Sequence, residues 1–199
     1  MACGTAVDER GARRATFACM TFDIGTRFLE RSRHYLSVEY PAKIRLALQT
    51  IPPERLWWRP NERANSAGNL VLHLSGNVRQ WIVSGVGGAP DVRFRDGEFA
   101  ARDGADHAFL LKTLQQACDD VDVVLAHLTA DMLGESRLIQ GRQTTVFAAI
   151  YHVVEHFSGH TGQIIHIAKS LTPGAVQFYD DTDGLARPTF LEDGQQDVD

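Results

Sequence analysis

The stretch Tyr151-His152-Val153-Val154-Glu155-His156-Phe157-Ser158-Gly159-His160-Thr161-Gly162-Gln163 sets a histidine at every fourth position of an apolar, helix-patterned run. Four residues is a little more than one helical turn, so the imidazoles line one face of a helix at a spacing of roughly 6 Å along its axis. That is a chelating geometry: three neutral imidazoles can hold a divalent ion and leave one coordination position for water or substrate. Thr144 or Thr145 can cap this helix, which runs to about Leu171 and ends at Pro173-Gly174.

Three further helices follow from the apolar spacing. From Thr26 to about Thr50 the positions Phe28, Leu29, Leu36, Ile44, Leu46 and Leu48 give a helical pattern that Pro41 should kink or split. Ile51-Pro52-Pro53 stops it, and Asn65-Ser66 provides an N-cap for a second helix reaching about Ser84. Gly85 to Gly104 reads as a turn-rich, charged loop. A third helix, about Asp106 to Thr129, carries Phe109, Leu110, Leu114, Ala117, Val121, Val124, Leu125 and Leu128 at three- and four-residue spacing. With no strand pattern, these segments predict an all-α protein, an antiparallel four-helix bundle over residues 25–179. Residues 1–24 read as a disordered extension in which Met20 is an alternative start, and 180–199 as a polar, mobile tail.

At 199 residues the chain suits one domain with a sizeable core. A formal charge of -5 gives no global attraction to nucleic acid or an anionic membrane, and neither is expected as a partner. Cys3, Cys19 and Cys118 are odd in number and form no C-x-x-C pair, which argues against a disulfide framework or a zinc knuckle and for a reducing, cytoplasmic location. No apolar run matches a membrane span or a secretion signal. Cys118 is flanked by Asp119 and Asp120, which raise a thiol pKa, and so is a poor nucleophile. Gly85-Val86-Gly87-Gly88 follows a helix rather than linking a strand to one, so nucleotide binding is not expected either.

Helical angles rank the histidines. With His152 at zero, His156 falls at about 40° and His160 at about 80°, against an apolar arc from about 60° to 220°. His160 is inside the arc, His156 borders it, and His152 is the weakest candidate. A metal in a bundle core takes ligands from more than one helix, and His73 sits at the same kind of core edge on the second helix, with Asn69 and Asn77 one turn away on either side. His34, His107, His127 and His166 have no partner at chelating spacing. No carboxylate joins the set, and imidazole suits zinc or nickel before iron or manganese.

The pairing of Asn69-Leu70-Val71-Leu72-His73-Leu74 with His156-Phe157-Ser158-Gly159-His160-Thr161-Gly162-Gln163-Ile164 resembles the DinB/YfiT-like superfamily of metal-binding four-helix bundles. There one histidine on helix 2 recurs with two on the last helix, followed by Gly-Gln. The match covers about residues 26–179. Asn65-Ser66-Ala67-Gly68-Asn69-Leu70, Gly76-Asn77-Val78-Arg79-Gln80-Trp81-Ile82 and Asp91-Val92-Arg93-Phe94-Arg95-Asp96-Gly97-Glu98-Phe99 are similar to an uncharacterised subgroup with no agreed activity. The resemblance implies His73, His156 and His160 as ligands of one divalent metal. It also implies, in some members, thiol-dependent S-transfer or isomerisation with a low-molecular-weight thiol, and in many a homodimer. Trp57, Trp58, Trp81, Phe94 and Phe99 supply more aromatic surface than a small bundle core needs, which points the same way.

One departure stands out: superfamily members often carry a further histidine or an arginine beside the last ligand, where this chain has Gly159 and Thr161. Arg79, Arg93 and Arg95 are candidate replacements, although a solvated surface position is the more ordinary role for any one of them. Asn77, Trp81, Glu98 and His152 complete the set of residues expected around the metal or its substrate. A hydrolase, the alternative chemistry, needs a general base. Glu155 points away from the histidine arc at about 300°, and Asp96 and Glu98 lie in a loop that the sequence does not place. A non-catalytic metal-binding or purely structural bundle is the remaining class.

Overall fold

The computed structural model describes residues 23–191. Met20, Cys3, Cys19 and the end of the tail lie outside them. Asp23 caps the first helix, α1 (Ile24–His34), by accepting the backbone N–H groups of Gly25 and Thr26. The chain passes through a π turn, Tyr35–Glu39, into α2 (Tyr40–Thr50). The expected break at Pro41 is thus a change of register within a continuous rod: Tyr40 N–H reaches back to the Tyr35 carbonyl. The wider turn leaves room for a proline ring that would crowd the preceding carbonyls of a regular helix, and it falls where the proline has no N–H to give.

Ser66 opens α3 (Ala67–Val78) with a capping box. Its Oγ accepts the Asn69 N–H at 3.2 Å, and the Asn69 side chain accepts the Ser66 N–H at 3.2 Å. A second π turn, Arg79–Ser84, continues this rod. The segment read as a turn-rich loop carries a short helix, α4 (Arg95–Ala100), that packs on α3. Asp106 caps α5 (His107–Ala126), and Thr145 caps α6 (Val146–Leu171).

Two hairpins were not anticipated from the pattern. The first pairs β1 (Ser136–Ile139) with β2 (Arg142–Thr145) across Gln140 and Gly141, both in left-handed backbone as a tight two-residue turn requires. Its four-residue strands are mostly polar, with Ile139 the one buried position, so no alternation announces them. The second, β3 (Tyr179–Asp180) with β4 (Arg187–Pro188), lies in the segment read as the start of a mobile tail.

The four rods form a helical bundle with two up and two down. Arg33 meets Asp122 and Arg45 meets Gln115, so the first rod runs antiparallel to α5. Trp81 meets His152 and His73 meets His160, so α3 runs antiparallel to α6. Tyr40 packs on Phe157 and Phe28 on Phe147, which makes the first rod parallel to α6. Arg79 reaches Asp120 while Leu72 shares a cleft with Thr113, which makes α3 parallel to α5. The last arrangement requires the chain between α3 and α5 to cross the length of the bundle, and α4 rides on that crossover. Leu36, Ile44, Leu48, Leu70, Leu74, Ile82, Leu110, Leu114, Ile150 and Phe157 fill the interior. No helix among the described residues is long and apolar enough to cross a membrane.

Candidate metal centre

The antiparallel contact of α3 with α6 brings three histidines together. One nitrogen from each of His73, His156 and His160 lies within 4.8 Å of the others, a group that could hold a metal ion. The Nε2 atoms of His73 and His156 face each other at 2.9 Å. Two such nitrogens cannot both carry a proton at that distance, so one ring offers a lone pair to the other. His73 is 5% exposed, while His156 and His160 are half-buried.

Two of the rings, His156 and His160, are pushed toward the neutral form that ligation needs. Burial, then the neighbouring His160, His73 and His152 rings and the Arg93 charge, push the His156 pKa down to about 3. His160 is also depressed, by burial first, with the Gln163 hydrogen bond opposing and His73 adding to the shift. Gln163 Oε1 lies 3.0 Å from His160 Nδ1, which leaves Nε2 of that ring for the cluster. Gln163 is a site residue that helical angles alone did not single out.

The crossover supplies the other side of His73. Glu98 Oε2 lies 3.0 Å from His73 Nδ1, and the Arg93 guanidinium grips the same carboxylate through Nε at 2.7 Å and Nη2 at 2.8 Å. Arg93 Nη2 is also 3.1 Å from His73 Nδ1, and Nη1 donates to Gln80 at 2.9 Å. The Arg93 and Glu98 side chains are 3% and 9% exposed. Burial alone would raise the Glu98 pKa; the hydrogen bonds and charges of Arg93 and His73 outweigh it and hold the carboxyl below its usual range. The Phe99 ring covers His73 with centroids 4.6 Å apart, and Arg95 lies over Phe99.

The remaining candidates divide. Arg79 is half-buried with its side chain 43% exposed and pairs with Asp120 at the surface, and Arg95 is exposed, so for these two the surface role holds; for Arg93 it fails. His152 stands outside the chelating group and packs on Trp81 with centroids 4.3 Å apart. Asn77, one turn beyond His73, is buried, and neither its Oδ1 nor the Trp81 indole nitrogen has a hydrogen-bond partner among the described residues. Glu155 is exposed. His34 lies beside Glu39 and His127 bonds the Val123 carbonyl, while His107 begins α5 and His166 is exposed; none joins the cluster. The buried Cys118 thiol is pushed up to about 12, by burial more than by Asp119. Of the aromatic residues, Trp57 and Trp58 pack against the core and Trp57 donates to the Ala105 carbonyl, while Phe94 is exposed.

Residues 23–179 match the model of the family described as "Protein of unknown function (DUF1572)". The structure is similar to that of a DinB-like protein (YjoA) from Bacillus subtilis, with a TM-score of 0.57 and 19% sequence identity over 77% of this chain and 97% of that one. Identity at that level speaks for the fold. No curated protein matches the chain. The chain belongs to the DUF1572 family of proteins of unknown function, built on a DinB-like helical bundle.

Proposed function

We propose that His73, His156 and His160 bind one divalent transition metal, zinc or nickel in preference to iron or manganese, and that the protein is a metal-dependent enzyme of thiol-transfer or related detoxification chemistry. The observation that carries the reading is the convergence of three imidazoles from two helices, with ligand nitrogens within 4.8 Å of one another and with burial pushing His156 and His160 toward the neutral form. The donor set fits such an ion: nitrogen ligands without a carboxylate suit the later first-row metals. A metal held by three neutral ligands supplies strong Lewis acidity to whatever enters its open position, and a thiol there is favoured in its anionic form.

The chain's own residues would shape that position. A groove of about 510 Å³ lies against α6, lined by Leu70, Gly159, Gly162, Gln163 and His166. A side chain at either glycine would project into open space, so both positions leave the groove wide. Gln163, which lines this groove, also bonds His160 Nδ1, and Phe99 packs over His73.

Metal analysis of untagged protein after mild purification tests the first half of the reading, with about one equivalent per chain expected. Cobalt-substituted protein titrated with cellular thiols tests the second, and sulfur-to-cobalt charge-transfer absorption is the expected result. Metal-dependent hydrolysis of ester or amide substrates with no response to thiols would replace transfer with hydrolysis. Neither response would leave a non-catalytic metal-binding bundle.

A further inference from the structure

We infer that Glu98, clamped by Arg93, is the positioning residue of this centre: it accepts a hydrogen bond from the Nδ1–H of His73, turns the Nε2 lone pair toward the metal position between the three histidines, and so ties the docking of α4 to metal occupancy. The inference rests on the three-histidine metal reading above and adds a residue from outside the ligand set.

The chemistry of the partners around His73 Nδ1 decides the assignment. Two groups lie within hydrogen-bond distance of it, Glu98 Oε2 at 3.0 Å and Arg93 Nη2 at 3.1 Å. A guanidinium has donors and no acceptor, whereas an ionised carboxylate has acceptors alone. When Nε2 is given to a metal, the remaining ring proton sits on Nδ1, and Glu98 is the partner that can accept it. A carboxylate behind a ligating histidine fixes the ring's tautomer and orientation and raises its basicity.

The surroundings are built to hold Glu98 there. Gly76 lies one turn from His73 on the face that α4 covers, and a β-carbon at that position would overlap Glu98 Oε1 and press on Arg93 Nε at 3.2 Å. A glycine inside a helix is otherwise unfavourable by about 1 kcal/mol relative to alanine, so close approach of the carboxylate is a sufficient reason for it. Asn69 Nδ2 donates to the backbone carbonyls of Glu98 at 2.8 Å and Ala101 at 2.9 Å, and Arg59 adds a bond to Ala101 at 2.9 Å. The end of α4 is therefore pinned to the start of α3. A buried ion pair is weak as a source of stability, because well-packed apolar groups commonly replace it without loss. Its placement against a ligand ring gives it a use that packing would not.

Coupling is reciprocal: if Glu98 strengthens metal binding, bound metal strengthens the docking of α4 by the same factor. The test is zinc titration against a chromophoric competitor with wild-type protein and the variants E98A, E98Q and G76A, each checked for helical content without metal. E98A should bind zinc about 10- to 100-fold more weakly. E98Q, which keeps an acceptor without charge, should lose less, and G76A should resemble E98A because its methyl displaces the carboxylate. In zinc-loaded wild type, nitrogen-15 spectra should show His73 protonated at Nδ1, and amide exchange over Arg95–Ala100 should slow on adding zinc. Should E98A fail to fold, E98Q and the wild-type spectra decide the matter. Wild type that binds zinc while the folded variants bind within about two-fold of it, or a zinc-loaded His73 protonated at Nε2, overturns the role of Glu98 alone. Wild type that takes up no zinc overturns the metal reading and this inference with it.

Discussion

The indole of Trp81 packs on the imidazole of His152 with centroids 4.3 Å apart, and this contact separates the outermost histidine of the α6 ladder from the two that meet His73. His156, by contrast, faces His73 Nε2 at 2.9 Å. Replacing His156 with alanine is therefore expected to abolish metal uptake, and replacing His152 should leave at least most of it. Equilibrium dialysis against zinc compares the two directly. Greater loss from His152→Ala than from His156→Ala would mean that the ladder engages the metal in a different register.

The depressed His156 pKa makes the metal-free protein sensitive to mild acid. Its folded value, about 3, lies below the ordinary 6.5, so between these limits the unfolded chain binds more protons than the folded one. Stability therefore falls as pH drops through 6.5 and goes on falling toward 3. Glu98 acts separately: its lowered pKa contributes stability above the usual carboxylate range, lost only as pH falls through its folded value. From pH 7 to 5 the histidine effect should dominate at this site. It amounts to roughly 1 kcal/mol at pH 5 once solvent screening of a half-buried ring is allowed for. Urea unfolding of metal-free protein at the two pH values should show this loss, and His156→Ala should reduce it, leaving the smaller part that the lowered His160 and His152 contribute.

The four main helices were legible because each has a long apolar stripe and a capping residue: Ser66, Asp106 and Thr145 cap where the sequence pattern places them, and Asp23 caps just before the first stripe. The three-histidine cluster was legible for a related reason, since the same helical angles that define the core also select its edge. Glu98 was a candidate that could not be placed. Its approach to His73 depends on a crossover whose path follows from the parallel packing of α3 and α5, which no local pattern encodes. Gly76 was the available local hint, a glycine without a turn beside it, in mid-helix. The π turns and the first hairpin were hidden for different reasons: one changes register without changing composition, and the other has strands too short and polar to alternate.

Asn69 is expected to be a joint between helix start and crossover. It is fully buried, completes the capping box with Ser66, and donates to the carbonyls of Glu98 and Ala101. Asn69→Ala removes these bonds together and leaves two carbonyls on α4 with a lost donor. A destabilisation of about 2 kcal/mol is expected, at the high end for a cap because the Glu98 carbonyl also loses its Asn69 donor, while Arg59 still serves Ala101. Asn69→Asp should retain the cap but lose the donors to α4. Chemical denaturation gives the magnitudes. Faster amide exchange in α4 for the aspartate variant, with α3 unchanged, would separate the two functions of the side chain.

The aromatic residues that suggested a homodimer are largely used within the chain: Trp57 and Trp58 pack on the core, Trp81 on His152, and Phe99 on His73. Of that set Phe94 stays uncovered, 74% exposed, beside Val92 at 89% on the crossover. Adjacent exposed apolar groups on one loop are the natural contact for a second copy of the chain. Light scattering at micromolar concentration should give the mass of a dimer for the wild type. Phe94→Asp should shift it to monomer, with little change in helical content, because that side chain contributes little to the core. A wild-type monomer would remove the dimer, and a dimer unaffected by Phe94→Asp would place the interface on another face of the bundle.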